Sequence, residues 1–314
     1  MSLLVAVTWE TQPWVERFRR HLPDRDVVVL GEDFDRDAIR YVATWGPKPG
    51  SLSNLPNLEA IFSLGAGVDH LMSYPGLPAA PIVRVAQDDL TYRMSEYMVL
   101  HCLMYLREQR RFDEDQKAKR WNPVLAPPIA GEVRVGIMGF GVLGQDAARK
   151  LKMMGGFDVA GWSRTPKSVE GFPVYAGDEG LTSFLNRTDI LISLMPLTPD
   201  TQGILNRSLF QKLARDGKLG GPILINAGRG KLQVEADILS CLDDGTLQAA
   251  TLDVFETEPL PESSPLWTHP RVTITPHNSA TSEPEATARY IAQQIRRHEA
   301  GEAFENVVDR ARGY

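Results

Sequence analysis

Cysteine is nearly missing from this 314-residue chain: Cys102 and Cys241 are the only two, and they lie in separate apolar-periodic segments without CxxC spacing. That speaks against a disulfide framework or a cysteine metal site and for two inert thiols in a reducing cytoplasm; no metal is expected. Positive charge is also short. Thirty-four Lys and Arg against 40 Asp and Glu leave a net charge of −6, which gives no electrostatic footing for nucleic acid. Long apolar runs are lacking too. The N-terminal Leu3-Leu4-Val5-Ala6-Val7 has no basic leader and is too short for a signal or membrane helix. It reads as a first β-strand, and no membrane partner is expected. There is no sequence repeat and no low-complexity tract.

What is present is an ordinary globular composition, 43% hydrophobic and 24% charged, in a chain long enough for two domains. Apolar runs of strand length alternate with helical patterns. Strands are predicted at 3–7, 27–30, 41–44, 60–64 and 82–85, with a helix at 13–21 whose Trp14, Phe18 and His21 share a face. This first block is α/β and carries no motif for a nucleotide phosphate. A long helical pattern runs from about 95 to 119, apolar first and charged later, and 121–129 with three prolines reads as an irregular connector. The second block has strand candidates at 133–138, 158–162, 190–194, 222–226, 249–254 and 272–275, and a last helix spans 284–300. Such alternation predicts a doubly wound parallel sheet.

Gly139-Phe140-Gly141-Val142-Leu143-Gly144 follows one of these strands directly and opens a helix over 145–154. GxGxxG in that setting is a dinucleotide fingerprint. Gly139 permits the tight turn, Gly141 lets backbone approach a pyrophosphate, Gly144 allows close helix–strand packing, and the helix N-terminus offers N–H groups and a positive dipole. The next strand ends in Ser163-Arg164-Thr165 with Lys167 nearby, where an NAD-binding chain commonly carries an acid. Ser163, Arg164, Thr165 and Lys167 suit a 2′-phosphate, so NADPH is expected over NADH.

Three further groups fall at predicted strand ends: Arg229 in Asn226-Ala227-Gly228-Arg229-Gly230, Glu258 in Asp253-Val254-Phe255-Glu256-Thr257-Glu258-Pro259, and His277 in Thr275-Pro276-His277. A cation, a carboxylate and an imidazole at one sheet edge can bind an acid, orient a base and move a proton.

With Leu64-Gly65-Ala66-Gly67-Val68-Asp69-His70 and Pro196-Leu197-Thr198-Pro199-Asp200-Thr201, these motifs make nearly the whole chain resemble the D-2-hydroxyacid dehydrogenases. Trp45, Gly65 to Asp69 and Met94-Ser95-Glu96-Tyr97 carry a closer likeness to the bacterial glyoxylate/hydroxypyruvate reductases of type A. The resemblance implies a Rossmann-type lobe over 99–285 and a smaller flavodoxin-like α/β substrate lobe made of 1–98 and 286–314, with the active site in the cleft between them. It implies reduction of a small 2-oxoacid, glyoxylate or hydroxypyruvate, with Arg229 holding carboxylate and carbonyl, His277 as general acid and Glu258 on its far nitrogen. Backbone N–H groups at Ala66 and Gly67 would take the substrate carboxylate, and Trp45 would limit its size. Val142, Leu143, Leu194, Pro196, Thr201 and Ala227 would line the cofactor, and Asp253 would orient the nicotinamide carboxamide. A homodimer through 95–129 is implied as well. Without an arginine in 41–46, a phosphorylated substrate is not expected, nor is a regulatory domain beyond residue 314. Two alternatives stay open: a broader D-2-hydroxyacid dehydrogenase, and a non-catalytic dinucleotide-sensing protein.

Overall fold

The computed structural model describes residues 2–86 and 88–313. Five strands, β1 (Ser2–Val7), β2 (Asp26–Val29), β3 (Ile39–Trp45), β4 (Ala60–Ser63) and β5 (Ile82–Val83), form a parallel sheet in the order β2-β1-β3-β4-β5. Seven more, β6 (Arg134–Met138), β7 (Asp158–Ser163), β8 (Val174–Ala176), β9 (Ile190–Ser193), β10 (Ile223–Asn226), β11 (Ala249–Leu252) and β12 (Val272–Ile274), form a second in the order β12-β11-β10-β9-β6-β7-β8. The first order is that of flavodoxin-like sheets. The second is the dinucleotide-binding order with one strand added at the far edge. Both agree with the predicted α/β fold.

The chain divides into two compact units, Met1–Leu90 with Thr281–Tyr314, and Thr91–Ala280. The divisions expected from the sequence lay at 98 and 285.

In the first unit, helix α1 (Gln12–His21) and helix α9 (Pro284–Glu299) cover one face of the sheet. Ala288, Ile291, Ala292 and Ile295, at helical spacing, are all buried against Leu3, Val5, Phe18 and Tyr41. This packing brings the C-terminal segment back to the N-terminal sheet. Helix α2 (Asp69–Met72) follows the loop after β4.

In the second unit, the central strands β6, β9 and β10 are buried along nearly their whole length, as parallel strands covered on both faces must be. Ile137, Ile192 and Ile225 face one core with Ala147 and Met98, while Met138, Leu191 and Leu224 face another with Phe184 and Phe210. Around them lie α3 (Asp88–Leu106), α4 (Gln109–Lys117), α5 (Val142–Lys150), α6 (Gly177–Asn186), α7 (Arg207–Phe210) and α8 (Glu235–Asp243). Helix α5 runs on as a π-helical turn over Leu151–Gly155.

The single helix predicted over 95–119 is corrected. Its first part starts earlier, at Asp88, and the helix breaks at Glu108, which adopts a left-handed φ of 52°. The break re-aims α4 so that the Arg110 guanidinium reaches the Val272 and Pro270 carbonyls and the Thr273 hydroxyl. Tertiary hydrogen bonds at a sheet edge outweigh local helix continuity here. The short edge strand β8, paired only to β7, was not predicted.

Candidate active site

The site begins at the topological switch point of the seven-stranded sheet, where β6 and β9 are neighbours but their connections leave on opposite sides. Gly139 ends β6 with φ 92°, and a Cβ there would stand 2.6 Å from the Leu194 carbonyl oxygen. A Cβ on Gly144 would lie 2.4 Å from the Gly139 carbonyl oxygen, whereas Gly141 faces open space. Sterics therefore demand glycine at both ends of the turn, and the middle is left clear for an approaching group. Gly141 is the N-cap of α5 and, being glycine, supplies no side-chain cap to the helix start. Val142 at the first turn is exposed and Leu143 half-buried. These features fit a dinucleotide pyrophosphate.

Below the turn, Phe140 is buried and its ring fills the space over Gly161, where a Cβ would come within 2.2 Å of the ring. Its carbonyl oxygen accepts from Lys167 Nζ at 3.1 Å, which brings a cation back across the glycine turn. The Ser163 hydroxyl donates to the Thr165 carbonyl at 2.8 Å and so shapes the turn after β7. Arg164 is exposed and lies 3.6 Å from Asp200. Among the residues predicted to line the cofactor, the Thr201 hydroxyl bonds within its own turn, donating to the Pro196 carbonyl at 2.8 Å and accepting the Thr198 N–H. Leu194 is half-buried, and Ala227 is buried with its N–H donating to the Ser193 carbonyl.

The acid–base group sits at the same C-terminal edge, after β10, β11 and β12. Glu258 Oε2 is 2.7 Å from His277 Nδ1, and Glu258 Oε1 accepts the Phe255 N–H at 3.0 Å. The bond to Glu258 holds the imidazole above its ordinary range, against partial burial that pulls it down. Burial pushes the Glu258 carboxyl up, yet the bonds from His277 and Phe255 outweigh it and leave the group below the usual carboxylate range. The positive charge of Arg229 is felt at both, lowering His277 and Glu258 alike. Arg229 is itself half-buried, with Nη1 donating to the Gly228 carbonyl at 2.7 Å. The three predicted residues are thus brought together.

His277 is a non-glycine residue with φ 52°, a conformation that costs roughly 1–2 kcal/mol. Asp253, fully buried, holds it there. The Asp253 carbonyl accepts the His277 N–H at 2.8 Å, while its carboxylate accepts from the Thr275 hydroxyl and from the Asn278 and Ser279 N–H groups. From the sequence, Asp253 is expected at another task, the nicotinamide carboxamide, and Thr275 carries no mark of a role. Only the fold brings them together.

In the first unit, Trp45 at the end of β3 lies against Gly65, where a Cβ would be 2.4 Å from the indole, and its ring is 4.4 Å from that of His70. The Ser63 hydroxyl donates to the Gly67 carbonyl at 2.9 Å and shapes the loop that carries Ala66. Trp45, Ala66 and Gly67 are therefore gathered at one edge of the five-stranded sheet.

Residues 99–279 match the model of the D-isomer specific 2-hydroxyacid dehydrogenase NAD-binding domain. The chain belongs to this family. It is therefore an NAD(P)-dependent oxidoreductase by family. It is 42% identical to a glyoxylate/hydroxypyruvate reductase A of Serratia proteamaculans, across 98% of this chain and 97% of that one. Among solved structures, it is similar to an NADPH-dependent glyoxylate/hydroxypyruvate reductase of Sinorhizobium meliloti in complex with NADP and sulfate (46% identity, TM-score 0.94, 100% of this chain and 99% of the other). A probable 2-hydroxyacid dehydrogenase of Rhizobium etli, in complex with NADP, HEPES and L(+)-tartaric acid, matches with the same identity, coverage and TM-score.

Proposed function

We propose that this member of the family reduces a small 2-oxoacid, glyoxylate or hydroxypyruvate, to the 2-hydroxyacid with NADPH. The carrying observation is the Glu258–His277 pair at 2.7 Å, under the charge of Arg229 and at the same sheet edge as the glycine turn. The names of the Serratia and Sinorhizobium relatives support the substrate, and the NADP of the two solved relatives supports the cofactor.

The clear space over Gly141 and the helix start behind it fit a pyrophosphate, and Arg164, with Lys167 and the Ser163–Thr165 turn, fits a 2′-phosphate. NADPH, when bound, supplies the hydride. Arg229 binds the substrate carboxylate and polarises the ketone, stabilising negative charge as it develops on oxygen. His277 gives its Nε2 proton to that oxygen, and Glu258 on Nδ1 keeps the ring in the required orientation and protonation state. Trp45 with the Ala66 and Gly67 N–H groups is assigned to the substrate end of the first unit.

Steady-state kinetics with a panel of 2-oxoacids, each with NADPH and NADH, test the proposal. Turnover of glyoxylate or hydroxypyruvate with NADPH preferred is expected; no turnover of any 2-oxoacid sinks it.

We also infer a homodimer through the region after Ser95. Leu100, Trp121, Leu125 and Ile129 leave large apolar side chains exposed, Trp121 at 97%. Analytical ultracentrifugation should give twice the 34.9 kDa chain mass; a monomer at micromolar concentration rejects the dimer. Two buried free thiols support a cytoplasmic location; among the described residues no helix is long and apolar enough to cross a membrane.

A further inference from the structure

Tyr97, His101 and Tyr105 recur at four-residue spacing on α3 and so share a helix face. Both tyrosine hydroxyls end on threonines of the edge that leads into the site: Tyr105 on Thr251 of β11 and Tyr97 on Thr275, the residue after β12, each at 2.7 Å. The Thr275 hydroxyl has a single proton and gives it to Asp253 Oδ1 at 2.6 Å, so the Tyr97 O–H must be the donor in its own pair. A one-directional chain results, from Tyr97 to Thr275 to Asp253. Its last member grips the backbone of His277, Asn278 and Ser279 through three N–H groups, one on its carbonyl and two on its carboxylate.

We propose that Tyr97 and Thr275 are positioning residues for proton transfer, which set the Asp253 carboxylate and through it the left-handed backbone that aims the His277 ring. The proposal rests on the assignment of His277 as the acid. Neither hydroxyl reaches the imidazole; both act through Asp253. Thr275 is half-buried and Asp253 fully so. Loss of the Thr275 hydroxyl therefore leaves Asp253 Oδ1 short of a partner that water cannot readily replace. Burial pushes the Tyr97 phenol up, which keeps it a donor across the working pH range, and pulls the neighbouring His101, whose ring lies 4.2 Å from that of Tyr97, down towards the neutral form. Asp253 is the charged group whose influence both side chains feel.

The test compares Thr275→Val, Thr275→Ser and Tyr97→Phe with the unaltered protein. It measures NADPH oxidation with glyoxylate, NADPH binding by fluorescence, and the His277 titration by NMR of its imidazole signals. Thr275→Val is expected to lower kcat about tenfold or more, with KM for glyoxylate and NADPH affinity within about threefold. Thr275→Ser, which keeps the hydroxyl, should recover to within about threefold, and Tyr97→Phe should fall between. The His277 titration should move down in Thr275→Val, because the pairing with Glu258 is loosened. Full kcat in Thr275→Val, an equal loss in Thr275→Ser, or an unchanged His277 titration overturns the proposal. Should the unaltered protein reduce no 2-oxoacid, the proposed function fails alone, and the His277 titration in the two threonine variants still decides whether the chain of hydroxyls positions the ring.

Discussion

Glu258 grips two partners with its two oxygens, the His277 Nδ1 at 2.7 Å and the Phe255 N–H at 3.0 Å, so the carboxylate that tunes the imidazole is itself fixed to its own loop. Neither oxygen can rotate away without breaking a bond. The carboxylate therefore keeps a proton on Nδ1 and favours the imidazolium, whose second proton, on Nε2, is the one the proposed mechanism delivers to substrate.

On the proposed mechanism, removing the imidazole removes the proton source and leaves the glycine turn alone. His277→Ala is expected to lower kcat by about 10²-fold or more while NADPH affinity changes less than about threefold. Stopped-flow turnover with parallel fluorescence titration checks both; a near-normal kcat removes His277 as the acid.

The pH dependence has a definite sign. In the proposed mechanism reduction needs the protonated imidazole, and Glu258 raises the His277 pKa above its ordinary value of about 6.5. Activity is present below the raised pKa and is lost as pH climbs through it. In Glu258→Gln the raising charge is gone, so the falling limb of the kcat/KM profile should move to lower pH. A limb that stays put, or moves up, contradicts the coupling.

Arg164 should govern the choice between the two nicotinamide cofactors. Arg164→Ala is expected to raise KM for NADPH about tenfold and to leave KM for NADH within about threefold, because only the 2′-phosphate loses a charge-assisted partner. Equal losses with both cofactors would count against Arg164 as the phosphate ligand.

Gly161→Ala tests the floor under the glycine turn. The added methyl would overlap the buried Phe140 ring at 2.2 Å, and overpacking of this kind costs about 1–3 kcal/mol. Urea denaturation should show the loss, and Phe140→Leu in the same chain should recover part of it. Unchanged stability in Gly161→Ala would mean that the ring has room to move.

Much of this was legible because strand-length apolar runs such as Ile223–Asn226 are buried on both faces, and such runs stand out against polar loops. The glycine turn and the Arg229, Glu258 and His277 motifs were legible because each is local. The helix break at Glu108 was not: neither glycine nor proline separates the apolar α3 from the charged α4, and only the reach of Arg110 towards β12 favours the kink. The strand β8 is three residues long and pairs on one side, too short to show a period. Nor was the bond from Tyr97 to Thr275, two residues 178 apart in sequence. No local pattern announces such a pair; it exists only once α3 lies against the end of β12.

Gly139, Gly144 and Gly161 are each held by an atom that a single methyl would strike, whereas Ser163 to Lys167 form a turn whose Arg164, Thr165 and Lys167 side chains are exposed. The platform is thus divided into a floor where an added methyl is costly and a rim open to substitution. On the proposed function, cofactor preference is written on the rim. Substitutions confined to the rim would then exchange one nicotinamide nucleotide for the other and leave the floor unaltered.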